Sequence, residues 1–218
     1  MRNYFDQQLA LLNEEMTQMG ALCEDAIALA VNALAEDSPT LAAKVPPIAA
    51  ALDQKERDVE GICLKLLLRQ QPVAGDLRQI SAALKMITDM ERIGDQAEDI
   101  AEIVAFLDGR QAENDALLKE MAKAVIQMVT ESVDAYVKCD IMLAKKVIAA
   151  DDVVDEQFAR VKQSLIGKIA ADPADGEYAL DLLMIAKYYE RIGDHATNIA
   201  EWVIYSVTGT HKDEITLT

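Results

Sequence analysis

The segment DMERIGDQAEDIAE, from Asp89 to Glu102, returns as YYERIGDHATNIAE, from Tyr188 to Glu201, with nine of fourteen positions identical. A second pair, LAAKVPPIAAALD from Leu41 and LAKKVIAADDVVD from Leu143, aligns without a gap at an offset of 102 residues, against 99 for the first pair. A chain of 218 residues that repeats itself in this way predicts two duplicated units of about 100 residues each. The three-residue difference between the offsets (102 against 99) predicts a net length change between the second and third helices of the halves, where a connection tolerates it.

Helical periodicity runs through nearly the whole chain. Leu9, Leu12, Met16, Met19, Cys23, Ile27, Val31 and Leu34 form one apolar stripe at the spacing of an α-helix face. Apolar residues make up 51% of the sequence but aromatics only 5%, a composition suited to helices and poor in sheet formers. The pattern predicts a helix from about Asn3 to Glu36, and a second that opens with Ser38 as N-cap and Pro39 at its first position, kinks or restarts at Pro46 and Pro47, and reaches about Arg69. A third spans about Val73 to Leu107. The second half follows with helices from about Asp115 to Lys138, Ile141 to Ala170 and Glu177 to Val207. The fold class is therefore all-α: two tandem three-helix bundles, six long helices related by a pseudo-twofold internal repeat. The units are residues 1–109 and 110–210, divided near Gly109, with a short tail over 211–218.

The formal charge is −17 and the sequence pI about 4.4. Nucleic acid is excluded as a direct ligand, because phosphate contacts are made by Lys and Arg, and anionic membrane surfaces are poor partners for the same reason. Basic protein faces and cations suit such a surface. Cys23, Cys63 and Cys139 are odd in number and widely spaced, which points to core thiols in a reducing compartment and not to a disulfide framework or a zinc site. The N-terminus has no signal-peptide pattern and no apolar run is long enough to span a bilayer. The expectation is a soluble, cytoplasmic protein.

Organised carboxylates carry the chemistry. Glu91, Asp95, Glu98 and Glu102 share one helical face, and Glu190, Asp194 and Glu201 keep that stripe in the second copy. On the preceding helices stand Asp53, Glu56 and Glu60 in the first half, and Asp151, Asp152 and Asp155 in the second. Like charges one turn apart repel by a few tenths of a kcal/mol, so Arg92, Arg191, solvent or a cation must compensate. Four acid-x-x-x-acid pairs are the candidate metal ligands: Glu91 with Asp95, Glu190 with Asp194, Glu56 with Glu60, and Asp151 with Asp155. All-oxygen donors favour hard divalent or trivalent ions such as Mg²⁺, Mn²⁺ or Fe³⁺, singly or as a multinuclear cluster. Gly94 and Gly193, inside the repeated motif, serve close helix packing or leave room for a cluster or a partner backbone. His195 follows Asp194 in the second copy only and reads as a surface or supporting group.

Catalytic constellations are missing from the sequence. There is no Glu-x-x-His pair for a carboxylate-bridged di-metal enzyme, no G-x-S-x-G, no H-E-x-x-H and no phosphate-cradling glycine loop. The chain reads as a binding protein and not as an enzyme.

QQPVAGDLRQISAALKMITDMERIGDQAEDIAE and LLMIAKYYERIGDHATNIAEWVIYSVTG resemble the two signature segments of the PhoU family of phosphate-transport regulators. The resemblance implies a cytoplasmic, non-enzymatic negative regulator of phosphate-starvation signalling and phosphate uptake. It implies a link between the ATPase subunit of a phosphate ABC transporter (PstB-like) and a phosphate sensor histidine kinase (PhoR-like), with the membrane reached only through them, and it is compatible with a homodimer. It also places metal ions or multinuclear clusters on Glu91, Asp95, Glu190 and Asp194, and less directly on Glu56, Glu60, Asp151 and Asp155. Beside this stand two other readings: a metal-independent acidic module that meets basic protein surfaces, and a PhoU-like regulator of a different transporter.

Overall fold

The computed structural model describes residues 2–70, 72–107 and 116–210. Its helices are α1 (Arg2–Glu36), α2 (Pro39–Ala42), α3 (Val45–Gln70), α4 (Ala74–Phe106), α5 (Ala116–Lys138), α6 (Ile141–Ala171) and α7 (Gly176–Thr208), with a 3-10 turn at Pro173–Asp175 before α7. The six long helices match the six expected from periodicity. The expected unit boundary near Gly109 and the tail 211–218 lie outside the described residues.

The duplication is visible in the backbone. At the end of α1, Ser38 N–H donates to Ala33 O over 2.9 Å, and at the end of α5, Asp140 N–H donates to Ala135 O over 2.9 Å. Between those groups Asp37 (φ 46°) and Cys139 (φ 52°) occupy the left-handed region. This is the turn that closes a helix by satisfying its last carbonyls, written twice at an offset of 102. Ser38 then caps α2 through Leu41 N–H, and Asp140 caps α6 through Met142 and Leu143 N–H. The turn explains Cys139, which is exposed. Of the three expected core thiols, only Cys23 and Cys63 are buried.

One difference between the halves follows from Pro46 and Pro47. Their missing N–H groups and their ring contacts with the preceding turn stop a helix from running through, so α2 ends at Ala42 and α3 restarts at Val45. The counterparts at offset 102 are Ile148 and Ala149, and α6 runs unbroken through them.

The first bundle packs α1, α3 and α4 together, and the second packs α5, α6 and α7. Helices α4 and α7 make the most extensive contact in the molecule, and α1 meets α5 beside it. At that second crossing a Cβ on Gly20 would lie 3.0 Å from Val133 Cγ1, so the glycine sets the approach. The two bundles share one apolar core, with Leu12, Met16, Leu52, Met86, Met90, Tyr136 and Tyr189 fully buried. Burying a side chain of that size contributes about 1.5–3 kcal/mol, and the shared core fixes the signature segments of α4 and α7 against each other.

Candidate functional site

The first-half site is built by the α3–α4 crossing. Gly94 is buried in α4, and a Cβ there would fall 2.6 Å from Leu52 Cδ1 and 3.7 Å from Ala49 Cα of α3. The absent side chain draws the two helices together, so the close-packing reading of this glycine is the one realised. One turn away, Asp53 and Glu56 of α3 face Glu91 of α4, and the oxygens of these three partly buried carboxylates lie within 4.8 Å of one another. Glu91 shows the strain of this arrangement. Burial raises its carboxyl above the usual range, then the charges of Asp95, Glu56 and Asp53 raise it further, with Arg92 opposing.

Two neighbours partly compensate the cluster. Thr88 Oγ1 donates to Glu56 Oε1 over 3.0 Å. Arg57 Nη1 donates to Asp53 Oδ1 over 2.7 Å, but both side chains are about half exposed, and such surface pairs contribute at most about 1 kcal/mol. Three carboxylates, with a hydroxyl at their edge and open solvent on one side, form an oxygen donor set of the kind hard cations take. The residues present fit such an ion.

Among the expected ligands, Glu56 and Glu91 are brought together. Asp95 is exposed and acts on Glu91 through its charge without joining the three-oxygen group. Glu60 is also exposed and outside that group. Its place belongs to Asp53, which lies on the same face of α3. The level at which α4 crosses that face selects Asp53 over Glu60, and spacing within α3 alone gives no sign of it.

The second half seats its helices in the same way but fills the site differently. A Cβ on Gly193 would lie 3.5 Å from Val154 Cγ1 and 3.8 Å from Asp151 Oδ1. Val154 and Asp151 are the offset-102 counterparts of Leu52 and Ala49, so the two glycines face the same positions. By the same register, however, the counterparts of Glu56 and Glu60 are Phe158 and Lys162, and at offset 99 that of Thr88 is Lys187. The counterpart of Asp151 is Ala49, so the Glu56–Glu60 and Asp151–Asp155 pairs sit two turns apart on corresponding helices. Lys187 Nζ pairs with Glu190 and stands 5.5 Å from the Phe158 ring centroid, while Lys162 Nζ lies 6.0 Å from that ring on its own account.

The remaining second-half acids still feel one another. Asp151 is raised by burial, then by Asp194 and Asp155, with Thr197 opposing. Asp194 is raised by burial, then by Glu190, with Lys187 opposing. Among the described residues, Asp151, Asp155, Glu190 and Asp194 supply no three oxygens as close together as those of Asp53, Glu56 and Glu91.

Between the two faces runs the α4–α7 seam. Asp89 Oδ1 lies 2.8 Å from His195 Nδ1 and accepts from Asn198 Nδ2 over 3.1 Å. Farther along, Asp99 accepts a hydrogen bond from Tyr188 and feels the charge of Arg191. The offset of 99 converts Asp89 into Tyr188 and Asn198 into Asp99, so the two contacts exchange under the pseudo-twofold, as in an isologous interface. His195 is thus a half-buried seam residue, its side chain 16% exposed, that supports the α4–α7 contact. Asp89 escapes sequence reading because its partners lie more than 100 residues away.

These features define a class: a duplicated three-helix-bundle protein whose repeated segments pack on each other across a pseudo-twofold seam, each with an acidic face beside it. Among the described residues no helix is long and apolar enough to cross a membrane. The PhoU domain model matches residues 16–104 and again 118–203. The chain is 35% identical over 216 residues to the phosphate-specific transport system accessory protein PhoU homolog of Pseudomonas aeruginosa, covering 98% of this chain and 89% of that one. It is 33% identical to the homolog of the same description from Clostridium acetobutylicum, covering 97% and 98%. The crystal structure of PhoU from Pseudomonas aeruginosa superposes with a TM-score of 0.90 at 35% identity, over 94% of this chain and 100% of that chain. The phosphate transport system regulatory protein PhoU from Streptococcus pneumoniae gives 0.87 at 25% identity, over 95% and 98%. The chain belongs to the PhoU family.

Proposed function

We propose that this protein is a cytoplasmic regulatory accessory of phosphate transport, repressing the phosphate-starvation response and restraining uptake when phosphate is plentiful. The observation that carries the proposal is the match of both halves to the PhoU domain, joined to near-full-length similarity to proteins named as phosphate-specific transport system accessory proteins. In this reading it is an adaptor and not an enzyme. It works between the ATPase subunit of a phosphate ABC transporter and a membrane sensor histidine kinase, and its net charge of −17 suits basic faces on those partners. A hard cation such as Mg²⁺, Mn²⁺ or Fe³⁺ held by Asp53, Glu56 and Glu91, with Asp95 beside them, would neutralise the mutual repulsion of these acids and tie α3 to α4.

Deleting the gene is expected to derepress phosphate-starvation genes in phosphate-rich medium, read by transcript levels. Unchanged expression would remove the signalling role. Affinity capture of the tagged chain from solubilised membranes tests the partners, and retention of neither a transporter ATPase nor a histidine kinase would count against the adaptor.

A further inference from the structure

The two halves present the same backbone frame with opposite chemistry at one level. In the first half that level holds Asp53, Glu56 and Glu91, with Thr88 donating to Glu56. In the second half the four corresponding positions are Asp155, Phe158, Glu190 and Lys187. One carboxylate has become an aromatic ring, and the hydroxyl beside it has become an ammonium. Lys187 Nζ lies over that ring, 5.5 Å from its centroid, while paired with Glu190. Glu190 is the better buried of the two, its side chain 15% exposed against 39% for Lys187. An ammonium between a π-face and a partly buried carboxylate is favourable on both sides.

We infer that Lys187 is a tethered counter-cation occupying, in the second half, the place a hard metal ion takes in the first, so that the protein has one strong cation site and not two equivalent ones. This rests on the reading of Asp53, Glu56 and Glu91 as a cation site and deepens it. The donor set explains the direction. Removing one of three carboxylates strips a hard ion of an anionic ligand, and a fixed positive charge paired with Glu190 repels it. The neighbouring Asp151 and Asp194 do not restore the site, because among Asp151, Asp155, Glu190 and Asp194 no three oxygens converge as those of the first-half trio do. The duplication has therefore kept the packing glycines and divided the charge roles: exchangeable cation in one half, covalently attached cation in the other.

The experiment is Mn²⁺ titration of the chelator-stripped full chain, followed by calorimetry and by the loss of free-ion electron paramagnetic resonance signal. The wild type is expected to show one strong class of site, with any further binding at least about tenfold weaker. Glu91→Gln removes the strong class and Asp155→Asn leaves it. The paired exchange Phe158→Glu with Lys187→Thr, which writes the first-half residues into the second, creates a second strong class. Lys187→Arg keeps the ring and the charge and leaves the wild-type stoichiometry, which separates loss of the cation from general disturbance. Circular dichroism of each variant verifies that the helices persist. Two equal classes in the wild type, or no gain in the folded paired exchange, would overturn the inference while leaving the metal reading intact. Absence of Mn²⁺ binding by both the wild type and the paired exchange would overturn both.

Discussion

Gly94 of α4 and Leu52 of α3 meet so closely that a Cβ on the glycine would stand 2.6 Å from Leu52 Cδ1, whereas the same atom on Gly193 would meet Val154 Cγ1 at an ordinary 3.5 Å. Leu52 is fully buried, so its side chain can yield only by displacing the core. The two glycines of one repeated motif therefore predict opposite responses to the same substitution. Gly193→Ala should stabilise the fold by up to about 1 kcal/mol, the helix-propensity difference between Gly and Ala. Gly94→Ala gains the same propensity but overpacks the crossing, which costs about 1–3 kcal/mol, and should come out neutral to destabilising. Chemical denaturation of the two variants measures the contrast, and equal shifts of one sign would show that the crossings are not different.

The carboxylates on the two faces make a prediction about pH. Glu91, Glu98, Asp99, Asp151 and Asp194 are all raised above the usual carboxylate range, each first by burial and then by neighbouring acids. A carboxyl whose folded value is raised takes up its proton in the folded state before it does so unfolded, so ν for the native state exceeds ν for the unfolded state in that window and stability falls as pH rises. The metal-free chain should thus gain thermal stability on acidification from neutrality toward the ordinary carboxylate range of about 4, below which both states are protonated and the gain stops. Glu91→Gln should flatten that rise. A melting temperature that drops steadily over the same window would contradict it.

Asp89 joins the halves at the seam. Its Oδ1 serves both His195 and Asn198, and its side chain is only 15% exposed. A hydrogen bond to a charged acceptor nets about 1.5–3 kcal/mol, so Asp89→Ala should cost roughly 2 kcal/mol. His195→Ala should cost less, since Asn198 keeps its partner. Because the two residues share one contact, the double variant should lose less than the sum of the single losses. Additive losses in a double-mutant cycle would show that the contact carries no coupling.

Much of this molecule is legible in the chain. Pro46 and Pro47 announce the break between α2 and α3, Ser38 and Pro39 announce the start of α2, and the offsets of 99 and 102 carry the pseudo-twofold seen in the paired turns at Asp37 and Cys139. Both glycines of the motif mark real crossings. What spacing could not give is the level at which one helix crosses another. Asp53, Glu56 and Glu60 share a face of α3, and only the seat of Gly94 on Leu52 chooses the first two. The same limit hid Asp89, whose role depends on α7 alone. In the second half the aligned counterparts of Glu56 and Thr88 are Phe158 and Lys187, and the ring that α6 brings to Lys187 is a long-range contact that spacing along α7 cannot show.

The cysteines give a last prediction that separates fold from composition. Cys23 is fully buried, donates its S–H to Met90 O over 3.4 Å, and has its thiol pushed well above the ordinary value by burial and then by Glu24. Cys63 is also buried and is pushed up to about 12, by burial and then by Glu60. Cys139 stands exposed at the left-handed turn between α5 and α6. The thiolate is the reactive species, and it must be reached by the reagent. Of the three cysteines in the chain, one should therefore react promptly with an aromatic disulfide reagent in the native protein, and the other two only as it unfolds. Cys139→Ser should abolish the prompt phase and leave the slow one. Prompt reaction of two or more thiols in the folded chain would mean that α1 or α3 opens far more readily than their buried contacts with α4 allow.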